Sequence, residues 1–295
     1  MKSFLVIILW MFSMGELFAQ ENLMDLVDKE TKPSEPYTEQ TFKGTRLING
    51  HSVETRKKGV LDVIISHRFG RVNSGSYEFF GLDESNVRLG VDYGITDRLN
   101  AGVGRNSFEK TYDAFLKYKV LRQENGASGN MPVSVVGLAS MAVKTLKTGN
   151  PAGEPDFNSR LTYCYQIIIA KKFTPSFSLQ VSPTLVHRNA VVAEQDPNDI
   201  YALGAGGRIK LTKRISLNAE YYYQFNRIEN SLIENSVAIG FDIETGGHVF
   251  QLHFTNSRAM IEKGFITETT GNFFDGDIHF GFNISRTFQL HDYSK

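Results

Sequence analysis

"NVRLGVDYGITDRLNAGVGR" spans residues 86–105, and through its first half every second residue is apolar: Val87, Leu89, Val91, Tyr93 and Ile95. Between them stand Arg88, Gly90, Asp92 and Gly94. Alternation with period two marks a β-strand with two unlike faces. A soluble sandwich and a membrane barrel both write such a line, and they differ in what each face meets.

The same pattern runs from Gly59 almost to the end of the chain and yields twelve candidate strands. Leu61, Val63, Ile65 and Phe69 alternate with Asp62, Ser66 and Arg68, and Tyr112, Ala114, Leu116, Tyr118 and Val120 with Asp113, Lys117 and Lys119. Later, Ile215, Leu217, Ala219, Tyr221 and Tyr223 alternate with Ser216, Asn218 and Glu220. "PVSVVGLASMAV" is a strand without a readable parity. The links alternate in length: tight turns near "ITDRL", "FTPSF", "LTKRI" and "ETGGH" are separated by longer polar links at 70–85, 144–158, 188–198, 227–235 and 257–276. "NSFEK" is the short exception. With an even strand count this predicts an all-β, antiparallel transmembrane barrel of about twelve strands, with short periplasmic turns and longer extracellular loops.

Strand length agrees, because about 9–11 tilted residues cross a bilayer whereas soluble strands cluster near five or six. The second face is too polar for a soluble core: Arg88, Asp92, Lys117, Arg160, Arg208 and Glu220 would be buried unpaired. A hydrated or hydrogen-bonded lumen removes that cost. A soluble sandwich with one wet face per sheet is the alternative.

At the front, "MKSFLVIILWMFSMGELFAQ" places Lys2 before an apolar run and Ala19 before Gln20, which predicts a signal peptide over 1–19. Residues 20–57 lack periodicity and read as a periplasmic segment, partly flexible, ahead of a barrel over 58–290 and a short tail over 291–295. Lys plus Arg equals Asp plus Glu at 32 each, so no net field recruits nucleic acid. One cysteine, Cys164, excludes a disulfide framework and a cysteine-based metal site.

The stretches "TFKGTRLINGHSVETRKKGVLDVIISHRFG", "FFGLDESNVRLGVDYGITDRLNAGVGR", "KTYDAFLKYKVLRQ" and "MPVSVV" together resemble a family of exported β-barrel proteins of Gram-negative bacteria, filed as a domain of unknown function. The resemblance runs from about Thr41 to the last strand. It implies an outer-membrane barrel of porin-like or transporter-like type and brings no substrate or catalytic residues with it. The chain ends "FQLHDYSK" rather than on an aromatic residue, which shifts the expected assembly signal to Phe288 or Tyr293.

Chemistry is sparsely signalled. "LGAGGR" and "GVGRN" lack complete phosphate-loop spacing. The histidines, including His67, His187, His248, His253, His279 and His291, are scattered without HExxH, so neither a metal nor a cofactor is expected. Ser66 and His67 are adjacent and point to opposite faces, which bars them from acting as nucleophile and base. Pairing of His253 with Ser236 or Ser285 is the remaining hydrolase arrangement. The strongest lead is charge on the inner face: Arg68, Arg88, Lys117, Lys119, Arg160, Arg208 and Lys210 opposite Asp92, Glu220 and Asp242, joined by Asp62 and Asp113. Such a wall orients small polar solutes, with a mild preference for anions, unless the charges pair and fill the interior.

The leading expectation is therefore a narrow passive channel for small hydrophilic solutes, embedded in outer-membrane lipid. The alternatives are a closed barrel serving as a scaffold for a periplasmic or surface protein partner and, behind it, a membrane-embedded hydrolase. N-terminal sequencing of protein extracted from membranes should begin at Gln20; a mature chain still carrying residues 1–19 would contradict the signal-peptide assignment.

Overall fold

The computed structural model describes residues 37–125, 131–149, 153–191, 196–227 and 232–290. The expected signal peptide over 1–19, the first part of the N-terminal segment over 20–36, and the tail over 291–295 lie outside the described residues.

Twelve strands follow one another around a closed antiparallel barrel: β1 (Val60–Arg71), β2 (Ser85–Gly94), β3 (Leu99–Asn106), β4 (Tyr112–Leu121), β5 (Ser134–Val143), β6 (Leu161–Thr174), β7 (Phe177–Arg188), β8 (Asp199–Lys210), β9 (Ile215–Gln224), β10 (Ser236–Thr245), β11 (His248–Thr255) and β12 (His279–Gln289). Each pairs with its chain neighbours, and β1 pairs with β12 from Val60↔Gln289 to Arg71↔His279, which removes both sheet edges. The opening stretch is the β2–β3 hairpin, with Tyr93 opposite Ala101 and Asp92 opposite Gly102.

The two faces divide as the alternation requires. Leu89, Val103, Leu116 and Ile167 are more than half exposed on the outside. Asp62, Arg68, Arg88, Asp92 and Lys117 are almost completely buried on the inside. No helix among the described residues is long and apolar enough to cross a membrane; the strands carry the lipid-facing surface.

Links on the rim that holds both barrel termini are tight between β2 and β3, β6 and β7, β8 and β9, and β10 and β11. The β4–β5 link on that rim is the exception, running from 122 to 133. The opposite rim carries the longer links apart from the short β3–β4 link over 107–111, and the longest joins β11 to β12 and contains α1 (Glu262–Thr267).

The main correction concerns residues 41–57, assigned from sequence to a periplasmic segment. They enter the barrel from the rim of tight turns, turn back, and return to β1. We call this segment the strap. Phe42, Leu47, Ile48, Val53, Asn49, His51 and Ser52 are all buried within it. Its tip is a small hairpin: Arg46 bridges His51, Leu47 N–H donates to Gly50 O at 2.8 Å, and Ser52 N–H donates to Thr45 O at 3.0 Å. The physical reason is lumen width. Eight strands enclose a space their own side chains can fill, while twelve enclose more.

Two apolar clusters fill that space. Phe42, Leu47 and Val53 of the strap pack with Phe115, Val136, Leu138, Ile168 and Ala170 of β4, β5 and β6. Phe265 and Ile266 of α1 pack with Cys164, Val186, Ile200, Ala202 and Tyr222 of β6 to β9. β5 has no readable parity because both of its faces are apolar: Val135 and Met141 point outward while Val136 and Leu138 point at the strap.

Gly50 sits where any side chain would collide, since a Cβ there would lie 2.1 Å from the Tyr222 hydroxyl. Overpacking of this kind costs about 1–3 kcal/mol. Gly50→Val should loosen the strap, so that trypsin cuts after Lys43 and Arg46 in the folded variant at protease levels the wild type resists. Equal resistance of the two proteins would refute the seating of the strap.

Candidate functional site

The site is the lumen with its strap. At the centre, the Glu220 carboxylate on β9 accepts three successive main-chain N–H groups of the hairpin tip, from Ile48 at 3.2 Å, Asn49 at 2.7 Å and Gly50 at 3.2 Å. A buried carboxylate needs such partners, because its charge is otherwise costly away from water. The strap's carbonyls are met by side-chain amides of the wall: Gln251 donates to Leu47 O at 2.5 Å, Asn283 to Ile48 O at 3.2 Å and Gln180 to His51 O at 2.8 Å. Lys117 donates to Thr45 O at 3.3 Å and Glu54 O at 2.5 Å.

Charge is matched as well. Lys43 pairs with Glu244 at 2.6 Å, Arg46 with Glu262 of α1 at 3.3 Å, and Arg56 with Asp62. The Thr45 hydroxyl donates to Asp92 at 2.7 Å. Arg68 links wall, strap and the β11–β12 link, donating to Asn49 Oδ1 at 2.8 Å and to Ser257 O at 2.6 Å.

The residues singled out from the sequence fall into three groups. Arg68, Asp92, Lys117, Glu220 and Asp242 line the strap or its immediate support, and Arg88 is tied to Asp113 at 2.5 Å within the wall. Arg208 and Lys119 are lower on the inner face, where Arg208 reaches Glu244 at 3.8 Å and Gln40 O at 3.5 Å. Arg160 and Lys210 are corrections. Arg160 sits in a single turn ahead of β6, bonded to Pro155 O and Glu154, and Lys210 is exposed at the end of β8. Arg160 lies ahead of the wall, and Lys210 occupies its last position, paired with Ser216 at the rim. Polar wall groups missed from the sequence, Gln180, Gln251 and Asn283, carry no charge and so gave no signal.

Between strap and wall, beside Thr45, Arg56, Asp62 and Gln251, a cavity of about 30 Å³ remains. That is room for about two water molecules. Above it, on the rim of long links, a vestibule of about 660 Å³ is lined by Arg71, Glu84, Glu109, Lys144, Arg258 and Glu268, among others. Its floor is the β11–β12 link, held by Lys263 of α1 to Glu109 at 3.0 Å and to Glu268. Burial works against the Lys263 charge, but Glu268 and Glu109 outweigh it and hold the ammonium above its ordinary value. Burial likewise opposes the Glu109 charge, and Lys263 with Lys144 overcomes it, leaving Glu109 below the usual carboxylate range.

The hydrolase arrangement does not form: neither ring nitrogen of His253 has a hydrogen-bonding partner, and the Ser236 hydroxyl has none. On the outer face Ser85 Oγ lies 2.7 Å from His67 Nε2, but His67 Nδ1 is buried without a partner, so no acid orients that ring.

The sequence matches the family described as membrane bound beta barrel domain (DUF5777) over residues 42–288, which includes nearly the whole strap. The chain belongs to this family. The match therefore begins within the lumen rather than at the first strand, and the strap is part of the family's domain. It is a membrane-bound β-barrel. No curated protein matches the sequence. Among solved structures the chain is similar to the KdgM porin, with 9% identity and a TM-score of 0.46, covering 78% of this chain and 99% of that one. It is also similar to the outer membrane protein Omp33 of Acinetobacter baumannii, with 9% identity and a TM-score of 0.41, covering 77% and 97%.

Glu220→Gln should leave the barrel intact and weaken the tip. One acceptor oxygen is replaced by a donor facing donors, a loss of roughly 2 kcal/mol. Hydrogen exchange at Ile48, Asn49 and Gly50 should then speed up by about thirtyfold, at about 1.4 kcal/mol per decade, while β9 amides stay slow. Unchanged exchange at the tip would remove Glu220 as the anchor.

Proposed function

We propose that this family member is a gated conduit for small hydrophilic solutes, shut at rest by its own strap. One observation carries the reading: the wall groups that hold the strap are polar side chains bonded to its main chain, namely Glu220, Gln180, Gln251, Asn283 and Lys117. When the strap leaves, those groups line a hydrated passage. Selection there would rest on the charges of Arg68, Asp92, Lys117, Arg208, Glu220 and Asp242, acting on solutes stripped of part of their water.

An always-open pore does not fit. Burial of a large apolar side chain is worth about 1.5–3 kcal/mol, so Phe42, Leu47 and Val53 hold the strap by several kcal/mol. About 5 kcal/mol corresponds to an open fraction on the order of 10⁻⁴. Opening therefore needs a trigger, such as a partner or a competing ligand.

The same apolar seat favours a second reading, a permanently closed barrel that docks a protein partner. Planar-bilayer recordings separate the two. Wild-type protein should show rare, brief openings, and a variant lacking residues 41–56 should conduct steadily. If that variant folds, inserts and stays silent at all voltages, the closed-barrel reading replaces the conduit.

A further inference from the structure

The contacts that seat the strap also specify what could take its place. Glu220 accepts three N–H groups in succession, and Gln251, Asn283 and Gln180 donate to three carbonyls of the same short segment. A polypeptide main chain offers that alternation of donors and acceptors; a sugar or a simple ion does not repeat it at peptide spacing. Around this main-chain site three carboxylates, Glu244, Glu262 and Asp62, each receive a strap cation. Between them lies a seat for one aliphatic side chain: Leu47 packs so close to Gly206 that a Cβ there would lie 2.3 Å from it. From Lys43 to Lys57 the strap holds four cations and one carboxylate, Glu54.

We propose that the lumen is a binding site for short cationic peptides, and that the strap occupies it as a built-in mimic. The preferred ligand carries Arg or Lys beside an aliphatic residue, bends at a small residue as the strap does at Asn49-Gly50, and competes with the strap for Glu220. This takes the conduit of the preceding section as its setting and names its solute class as cationic peptide, against the anion preference expected from the wall sequence alone. The reason for the reversal is that Arg88 is paired within the wall with Asp113, which leaves Arg68 and Lys117 as cations that meet the strap, donating to it as they would to a peptide's carbonyls. Against these two stand five carboxylates bonded to strap donors, those of Glu220, Asp92, Asp62, Glu244 and, on α1, Glu262.

The test reads binding and does not depend on conduction. Full-length wild-type protein in detergent is treated with trypsin in the presence of millimolar hexapeptide Ala-Arg-Leu-Asn-Gly-Lys, whose arginine is α-methylated so that trypsin does not cut the peptide at its internal Arg-Leu bond. Controls are the same peptide with Glu in place of Arg and Lys, the same peptide N-methylated along its backbone, and maltohexaose. The cationic peptide should expose the strap, raising cleavage after Lys43 and Arg46 at least tenfold over each control. In parallel, Gly50→Val in the full chain loosens the strap without altering the wall charges; a fluorescein-labelled cationic peptide should bind it at least tenfold more tightly than the Glu version, by anisotropy. Should Gly50→Val fail to fold, judged by loss of the heat-dependent shift in gel mobility, the wild-type cleavage assay alone decides. Equal effects of cationic, acidic and N-methylated peptides, or a response to maltohexaose alone, would overturn the peptide site. Peptide binding without conductance would leave the site standing and remove the conduit; conductance without peptide selectivity would do the reverse.

Discussion

Everything inside the barrel is arranged around one carboxylate. Glu220 stands midway along β9, away from bulk water, and accepts the amides of Ile48, Asn49 and Gly50. In the closed lumen each needs the other: without the tip the carboxylate would need water as its donor, and without the carboxylate the tip would hold three buried amides lacking an acceptor. Together they fix how far the strap enters. That depth places Leu47 against Gly206, Gly50 against Tyr222, and Arg46 beside Glu262.

The closed state is consequently a joint product of two insertions from opposite rims. The strap brings Phe42, Leu47 and Val53 to the apolar patch on β4 to β6, and α1 brings Phe265 and Ile266 to the patch on β6 to β9. They meet at Glu262, which lies 3.3 Å from Arg46 and 3.5 Å from His51 Nε2. The opposite side of the wall stays polar, with Asp62, Asp242, Gln251 and Asn283 bonded to one another's neighbours and to the strap. Apolar contact supplies holding strength on one side, and hydrogen bonding supplies position on the other.

Much of the barrel was legible because its two solvents are so unlike. Lipid demands apolar residues at every second position, and that demand is local, so Val87, Leu89 and Val91 declare their strand without reference to any other. The link lengths added the topology. The inner charges were legible in part: parity put Arg68, Arg88, Lys117 and Glu220 inside, but it could not tell where a strand ends, and Arg160 and Lys210 fell on the rims. Asn49-Gly50 is a turn signal of the kind that closes hairpins, and the apolar inner face of β5 requires a partner inside the lumen. Read together, the two features point to the strap; read separately, each is mute.

By itself the sequence determined the class of structure, a count of about twelve strands and, for all but strands such as β5, the face presented to lipid, because these follow from periodicity within ten or so consecutive residues. Only the tertiary structure decided that the lumen is filled, by which segments, and which wall groups remain to meet a solute. Those outcomes depend on contacts such as Ile48 with Glu220 and Arg46 with Glu262, between residues far apart in the chain and brought together only when the barrel closes.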